Sequence, residues 1–239
     1  FVKNTPIPRG VPPWTLDETT VTVGIAKNVS QLIRDRDTLQ IGGGSTTYPL
    51  VTLGILDGRS DIGWHSELTV PGVVDKIRAG VVNSKYKTVN KGVAIGTAMG
   101  NSPEDLKYIE GNPQFALYGV DYVNNIVNIA SHDNMVAINN ILQIDFTGQA
   151  NAESFGPRQY SGTGGQFEFA VGATLSQGGR SILVLPSTAL EGSVSNILPT
   201  LPLGTIVTTP RNVADYVVTE HGIANLAGKS HKERALALI

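Results

Sequence analysis

The chain has 239 residues, 41% of them hydrophobic and 16% charged, with a formal net charge of −2 and no cysteine. That composition supports a sizeable core in one large domain or two small ones, and it is not that of a disordered chain. It excludes disulfides, thiolate metal sites and a cysteine nucleophile, and it leaves no basic footprint for nucleic acid or anionic lipid.

Residues 1–16, FVKNTPIPRGVPPWTL, hold four prolines. Each fixes φ and removes an amide donor, so residues 1–19 read as a linker or arm and residues 20–239 as the folded domain. Val21, Ile25, Val29, Leu32 and Ile33 fall at helical spacing behind Asp17 and Glu18, which predicts a helix over roughly 18–34. TLQI (38–41) is a short buried strand that runs at once into GGGSTT. Tyr48 to Leu56 is predicted helical, Asp61 to His65 a strand, and Pro71 to Ala79 a helix with Val73, Val74 and Ile77 on one face. GVAIGTAM (92–99) is strand-like. SPEDLKYIEG (102–111) has Ser at the cap, Pro at the first helical position, acids in the first turn and Gly at the end. MVAINNILQIDFTG (135–148) fits one or two strands, RSILVLPST (180–188) a central strand, GTIVTTP (204–210) and ADYVVTEHG (214–222) further strands, and the chain closes on a helix. Strands alternating with helices predict an α/β domain with a mixed or mostly parallel sheet flanked by helices. The chain opens on Phe1 without a secretory leader pattern and ends inside a helical run, which suggests a piece of a longer polypeptide. No apolar run approaches the ~18 residues of a membrane span.

Ligands of open α/β sheets bind at the carboxyl ends of strands. Three clusters are candidates. LQIGGGSTTYPL lets the backbone approach a ligand closely and offers helix amides to an anion, but it matches neither GxGxxG nor the Gly-Lys-Ser/Thr phosphate loop. A tight turn without a ligand stays equally open. Glu67, in DIGWHSELTV (61–70), ends a strand, where a solvated rim residue is the plainer reading. Ser66 is set aside as a nucleophile, because adjacent strand residues face opposite ways and no G-x-S-x-G elbow surrounds it. SGTGGQFEF (161–169) exposes several backbone amides together, as an oxyanion hole or phosphate nest needs, and as a flexible hairpin loop would also do. His132, His221 and His231 lack metal-site spacing and read as structural or solvated, with Glu220 free to pair beside His221.

Taken together, the ordered blocks LQIGGG, DIGWHSEL, GVVDKIRAGVV, VDYVNN, HDNMVAINN, QIDFTGQANAES, YSGTGGQFEF, GGRSILVLPST, VTTPRNVADYVVTEHGIANLAGKS and RALALI resemble the carboxyl-terminal half of the acetyl-CoA hydrolase/transferase family. Within it the likeness is greatest to the 4-hydroxybutyrate and butyrate CoA-transferases. The resemblance implies a CoA-transferase-like domain in residues 20–239, with a first, similar domain on the same polypeptide and a homo-oligomeric assembly. It implies that Glu67 is the nucleophile. Gly42, Gly43, Gly44, Ser45 and Thr46 would bind CoA, and Thr163, Gly164, Gly165, Gln166 and Phe167 would lie against the thioester and the CoA. Three positions depart from the family pattern: Gly43 stands where an apolar residue is usual, Glu168 where Asp is usual, and His221 where Tyr is usual.

The implied reaction moves CoA between a short-chain acyl-CoA and a carboxylic acid such as acetate, through a glutamyl-CoA thioester and with ping-pong kinetics. CoA is then a substrate, and no resident cofactor or metal is needed. Trp64 and the glycines would shield Glu67 from water. The expected partners are acyl-CoA and small carboxylic acids, not nucleic acid or membrane, and the expected location is the cytoplasm. Three rivals stand beside this reading: an acyl-CoA hydrolase, if water reaches the thioester; a non-catalytic CoA- or nucleotide-binding domain; and a plain structural half-domain.

Overall fold

The computed structural model describes residues 19–239. The proline-rich arm and the acidic residues Asp17 and Glu18 lie outside the described residues.

Helix α1, Thr20–Ser30, starts where the Thr19 hydroxyl accepts the Thr22 amide at 3.2 Å, and it buries Ile25, Ala26 and Val29 along one stripe. It stops short of residue 34 because Asp37 takes the Arg34 amide at 2.6 Å and turns the chain back. The main sheet holds β1 (Thr38–Ile41), β2 (Gly63–Trp64), β3 (Met135–Asn140), β4 (Arg180–Val184), β5 (Tyr216–Val218) and β6 (Ile223–Asn225). Its spatial order is β6-β5-β4-β3-β1-β2. All pairs are parallel except β5 with β6, so the sheet is mostly parallel with one antiparallel edge, as expected from the sequence.

Side-chain parity sorts the core. Leu39 and Ile41 of β1, Val136 and Ile138 of β3, and Ile182 and Val184 of β4 share one face, where α1 packs. The opposite face sends Met135 and Ala137 against Val123, Ile129, Phe169 and Ala173. Those residues belong to α4 (Val120–Val123), α5 (Ile126–Ala130) and α6 (Gln166–Leu175), which follow α2 (Val73–Arg78) and α3 (Pro103–Ile109) in the chain. Leu183 and Val217 pack in a third cluster with Leu238 of the last helix, α7 (His231–Leu238), whose Ser230 and Glu233 form a capping box. Helices on both faces of a parallel sheet give a three-layer α/β domain.

Three expectations are corrected. Residues 48–56 form overlapping turns rather than a helix, because Pro49 donates no amide, Gly54 sits at φ +88°, and the Ile55 amide reaches back to the Leu50 carbonyl. Residues 204–210 form no strand. Gly204 turns the chain at φ +82°, and the Thr208 and Thr209 amides both close on the Ala150 carbonyl. SGTGG is no hairpin loop, because it runs straight into α6.

Successive chain segments leave β1 in opposite directions, to β2 on one side and to β3, β4 and β5 on the other. The carboxyl ends of β1 and β3 therefore border a topological switch point, where open α/β sheets form their crevice.

Candidate active site

A cleft of about 320 Å³ opens at that switch point. Its floor is a buried amide pair: Gln40 donates to Asn139 at 2.9 Å, and Asn139 donates back at 3.1 Å. The glycine turn crosses directly above. A Cβ on Gly42 would lie 2.4 Å from Asn139 Oδ1, and one on Gly44 would lie 2.6 Å from Asn140 Cβ. Gly43 differs, since a Cβ there would meet only Leu68 Cδ2, at an ordinary 3.5 Å. Two of the three glycines are thus demanded by close packing, and the middle one has room for a methyl group. Thr47 ties the turn down by donating to the Gly42 carbonyl at 2.6 Å.

Glu67 stands on the wall of this cleft and also lines a second one, of about 440 Å³, bordered by Val120, Asp121, Asn124, Asn125 and Glu168. The strand bearing it is anchored by its backbone. The Thr97 and Ala98 amides both donate to the Glu67 carbonyl, at 2.8 and 2.9 Å. The half-buried side chain accepts a 2.9 Å hydrogen bond from Asn124 Nδ2. Gly165, the residue before α6, closes over this contact. A Cβ there would lie 2.3 Å from Asn124 Nδ2 and 2.6 Å from Glu67 Oε2, so only glycine lets the helix start come so close. The first-turn amides of α6 have no acceptor within the helix, and they put the positive end of its dipole beside the carboxylate.

Of the expected site residues, the structure brings residues 42–45, Glu67 and residues 163–166 to one cleft. Thr46 is buried behind the turn, and neither it nor Phe167 is on the lining. Gln166 lines the cleft but sends its amide to Thr209 Oγ1 at 3.0 Å. Ser66 is fully buried with its hydroxyl toward the Ile41 carbonyl at 3.4 Å, away from the cleft. Trp64 also points away, into the core on the α1 face, so the walls around Glu67 are Leu68, Asn124 and Gly165 instead. Asn124 was not singled out from the sequence. It carries no charge and matches no motif, and only the position of VDYVNN among the family-like blocks pointed to it.

The histidines separate by burial. His221 is exposed and lies 3.5 Å from Glu220, whose carboxylate takes the Ser187 hydroxyl and amide. His231 sits on the surface at the start of α7. His65 and His132 are buried and touch one another. Among the described residues, no group of three or more His, Cys, Asp or Glu side chains could hold a metal ion, and no helix is long and apolar enough to cross a membrane.

The glycine turn, the Glu67 carboxylate and the glycine-rich start of α6 thus converge at the switch point, where open α/β sheets bind ligands. The chain belongs to the acetyl-CoA hydrolase/transferase family: residues 103–239 match the acetyl-CoA hydrolase/transferase C-terminal domain. It is 45% identical over 219 residues to the 4-hydroxybutyrate coenzyme A transferase of Clostridium kluyveri, covering 92% of this chain and 51% of that protein. It is 37% identical over 224 residues to the butyryl-CoA:acetate CoA-transferase of Anaerostipes caccae, covering 92% and 50%. The crystal structure of the 4-hydroxybutyrate CoA-transferase of Porphyromonas gingivalis superimposes with a TM-score of 0.79 at 38% identity, covering 92% of this chain and 51% of that one. The chain spans about half the length of these curated relatives.

Proposed function

We propose that the polypeptide carrying this domain is an acyl-CoA:carboxylate CoA-transferase with Glu67 as its nucleophile. The observation that carries the reading is the position of the Glu67 carboxylate, on the shared wall of two clefts, with an amide donor and a helix start against it. A transferase needs such a group, one that faces both CoA and the acid.

The steps follow from covalent catalysis by a carboxylate. A Glu67 oxygen attacks the acyl-CoA carbonyl carbon, and the carbon–sulfur bond breaks to leave a mixed anhydride and CoA thiolate. The thiolate attacks the glutamyl carbonyl carbon. The first acid leaves as its carboxylate, and CoA is held as a glutamyl thioester. A second carboxylate runs both steps in reverse. Each tetrahedral intermediate bears an oxyanion. Asn124 Nδ2 and the first-turn amides of α6 are the donors nearest to it, and losing one such donor typically costs about 3 kcal/mol. CoA enters and leaves as a substrate, so these steps call for no resident cofactor.

Among the described residues, Glu67 is the one charged residue lining the first cleft, which fits the neutral, amide-bearing pantetheine arm of CoA. The anionic end of CoA would point outward, because no Lys or Arg among the described residues lines that cleft. The second cleft would take the acid. Its other charged groups are Asp121 and Glu168, which repel a second carboxylate and favour short monocarboxylic acids such as acetate, butyrate or 4-hydroxybutyrate over dicarboxylic ones. A cytoplasmic location, where acyl-CoA pools are met, belongs to the same reading.

The test is intact-mass spectrometry of the complete polypeptide after incubation with butyryl-CoA and then borohydride. Reduction of a glutamyl thioester to the alcohol predicts a loss of about 14 Da that maps to Glu67 and disappears in Glu67→Gln. Unchanged mass at Glu67 with CoA still bound would move the chain to the non-catalytic binding reading. The adduct together with CoA release that needs no added acid would make it a hydrolase.

A further inference from the structure

Two buried histidines and a buried lysine lie beneath Glu67, and the steps above use none of them. His65 is two residues before Glu67 on the same segment and is 1% exposed, as is His132. Their rings meet with centroids 4.7 Å apart, and Phe169 of α6 packs against His65 at 6.2 Å. His65 Nε2 lies 2.9 Å from the Val123 carbonyl oxygen, and His65 Nδ1 lies 3.2 Å from His132 Nε2.

The protons in this chain can be assigned. A carbonyl only accepts, so His65 Nε2 carries hydrogen and donates to Val123. Burial pushes His65 down to about 4 and His132 down to about 3, so both rings are neutral at physiological pH. A neutral His65 with hydrogen on Nε2 has a bare Nδ1, which accepts from His132 Nε2–H. His132 Nδ1 is then left as a bare acceptor, and it is indeed buried without a hydrogen-bond partner among the described residues. Lys87, also 1% exposed, is the nearby amine, and burial pushes it down to about 7. Its Nζ donates to the Trp64 and Val93 carbonyls, at 3.0 and 2.9 Å.

The end of the chain matters most. The Val123 carbonyl and the Asn124 amide belong to one planar peptide group. Its N–H is held by the Val120 carbonyl at 2.9 Å and its C=O by His65, so both sides of the plane from which the Asn124 side chain departs are fixed. That side chain donates to Glu67 Oε2. We propose that His65, oriented by His132, is a positioning residue for the transferase reaction: the relay His132–His65–Val123 C=O holds Asn124 on the Glu67 carboxylate. The proposal rests on the reading of Glu67 as nucleophile, but its decisive measurements do not.

Two experiments on the complete polypeptide test it. In the first, ¹⁵N-histidine NMR reads the tautomers directly. The relay requires both buried rings to carry hydrogen on Nε2 alone, and a His65 ring protonated on Nδ1 overturns the proposal whatever the enzyme turns over. In the second, kcat and KM for acyl-CoA are measured in a double-mutant cycle. His65→Leu lowers kcat about tenfold and leaves KM for acyl-CoA unchanged, as expected for a lost positioning hydrogen bond. His65→Gln, whose amide can donate to Val123 and accept from His132, recovers most of that loss. In an Asn124→Ala background, His65→Leu has little further effect, because the group it positions is gone. Multiplying penalties in the double variant, or a His65→Gln variant no better than His65→Leu, would reduce His65 to a packing role. Should His65→Leu fail to fold, His132→Leu replaces it in the cycle with the same direction expected. Loss of the Glu67 adduct from the wild-type protein, with the tautomers as assigned, would sink the nucleophile reading and leave the relay standing.

Discussion

The two ends of the parallel sheet treat their polar groups in opposite ways. At the amino end, Asp37 before β1 and Arg180 at the start of β4 pair at 2.5 Å, with side chains 1% and 5% exposed. Arg180 also donates to the Leu32 carbonyl, and Asp37 takes the Arg34 amide, so one ion pair closes the loop after α1. Burial still raises the Asp37 carboxyl above its ordinary range, against the pull of Arg180. At the carboxyl end, among the described residues, Glu67 has an amide donor and no counter-charge, and Asn140 Oδ1 and Glu168 Oε2 are buried without partners. Charge satisfied inside the chain ties loops together. Charge left beside a cleft is available to a substrate.

The largest effect should come from breaking the amino end. Asp37→Ala leaves a buried guanidinium without its counter-ion, which costs about 3–5 kcal/mol in unfolding free energy. Because burial outweighs attraction at Asp37, pairing Asp37→Leu with Arg180→Met should return much of that loss in chemical denaturation. A double variant as unstable as the single would mean that the ion pair itself, not its desolvation, governs this end. At the carboxyl end, Gly165→Ala should leave the melting temperature nearly unchanged and lower kcat about 10²-fold, since the methyl group drives into the Asn124–Glu67 contact. Equal kcat in the variant would show that this contact does not set the reacting geometry.

The carboxyl end should also make the fold sensitive to acid. Folded His65 and His132 take up protons only near 4 and 3, whereas the unfolded chain takes them up near the ordinary 6.5. The folded values are lowered, so this stability is fully present above about pH 6.5 and is lost as pH falls through that value toward the folded ones. With both rings contributing, the loss steepens to on the order of 2 kcal/mol per pH unit. Denaturant midpoints measured between about pH 7 and pH 5 should show that slope, and His132→Phe should roughly halve it. A flat profile would mean that the rings are not held neutral.

The α/β class and the strands β1, β3 and β4 were legible because short, mostly apolar segments alternate with helical stretches and end in glycine, asparagine or proline turns. That residues 42–45, Glu67 and 163–166 share one cleft was expected from the family-like blocks that hold them, because residue type alone left Glu67 a solvated rim residue and the glycines plain turns. What the sequence hid has a physical cause in each case. Residues 48–56 keep a helical apolar spacing while Pro49 and Gly54 prevent the helix. Asn124 is recruited by a contact 57 positions away in sequence, which no local pattern encodes. His65 and His132 are 67 positions apart and acquire their roles only when β2 and the turn after α5 meet. Burial, rather than spacing, turned two ordinary histidines into a neutral relay.

The smallest expected effect sharpens the comparison most finely, because it separates glycines that share one turn. Gly42 and Gly44 lie against Asn139 and Asn140 with no room for a methyl group, whereas Gly43 faces Leu68 at van der Waals distance. None of the three has a positive φ, so backbone strain does not enter and space alone decides. Gly43→Ala should therefore change stability by less than about 0.5 kcal/mol and leave kcat and KM for acyl-CoA within about twofold. Gly44→Ala should raise KM more than it lowers kcat, because Asn140, on the cleft lining where CoA would rest, is displaced while Glu67 keeps its contacts. Equal responses at the two positions would show that the turn moves as a unit, and that the close approach at Gly44 is not what shapes the cleft.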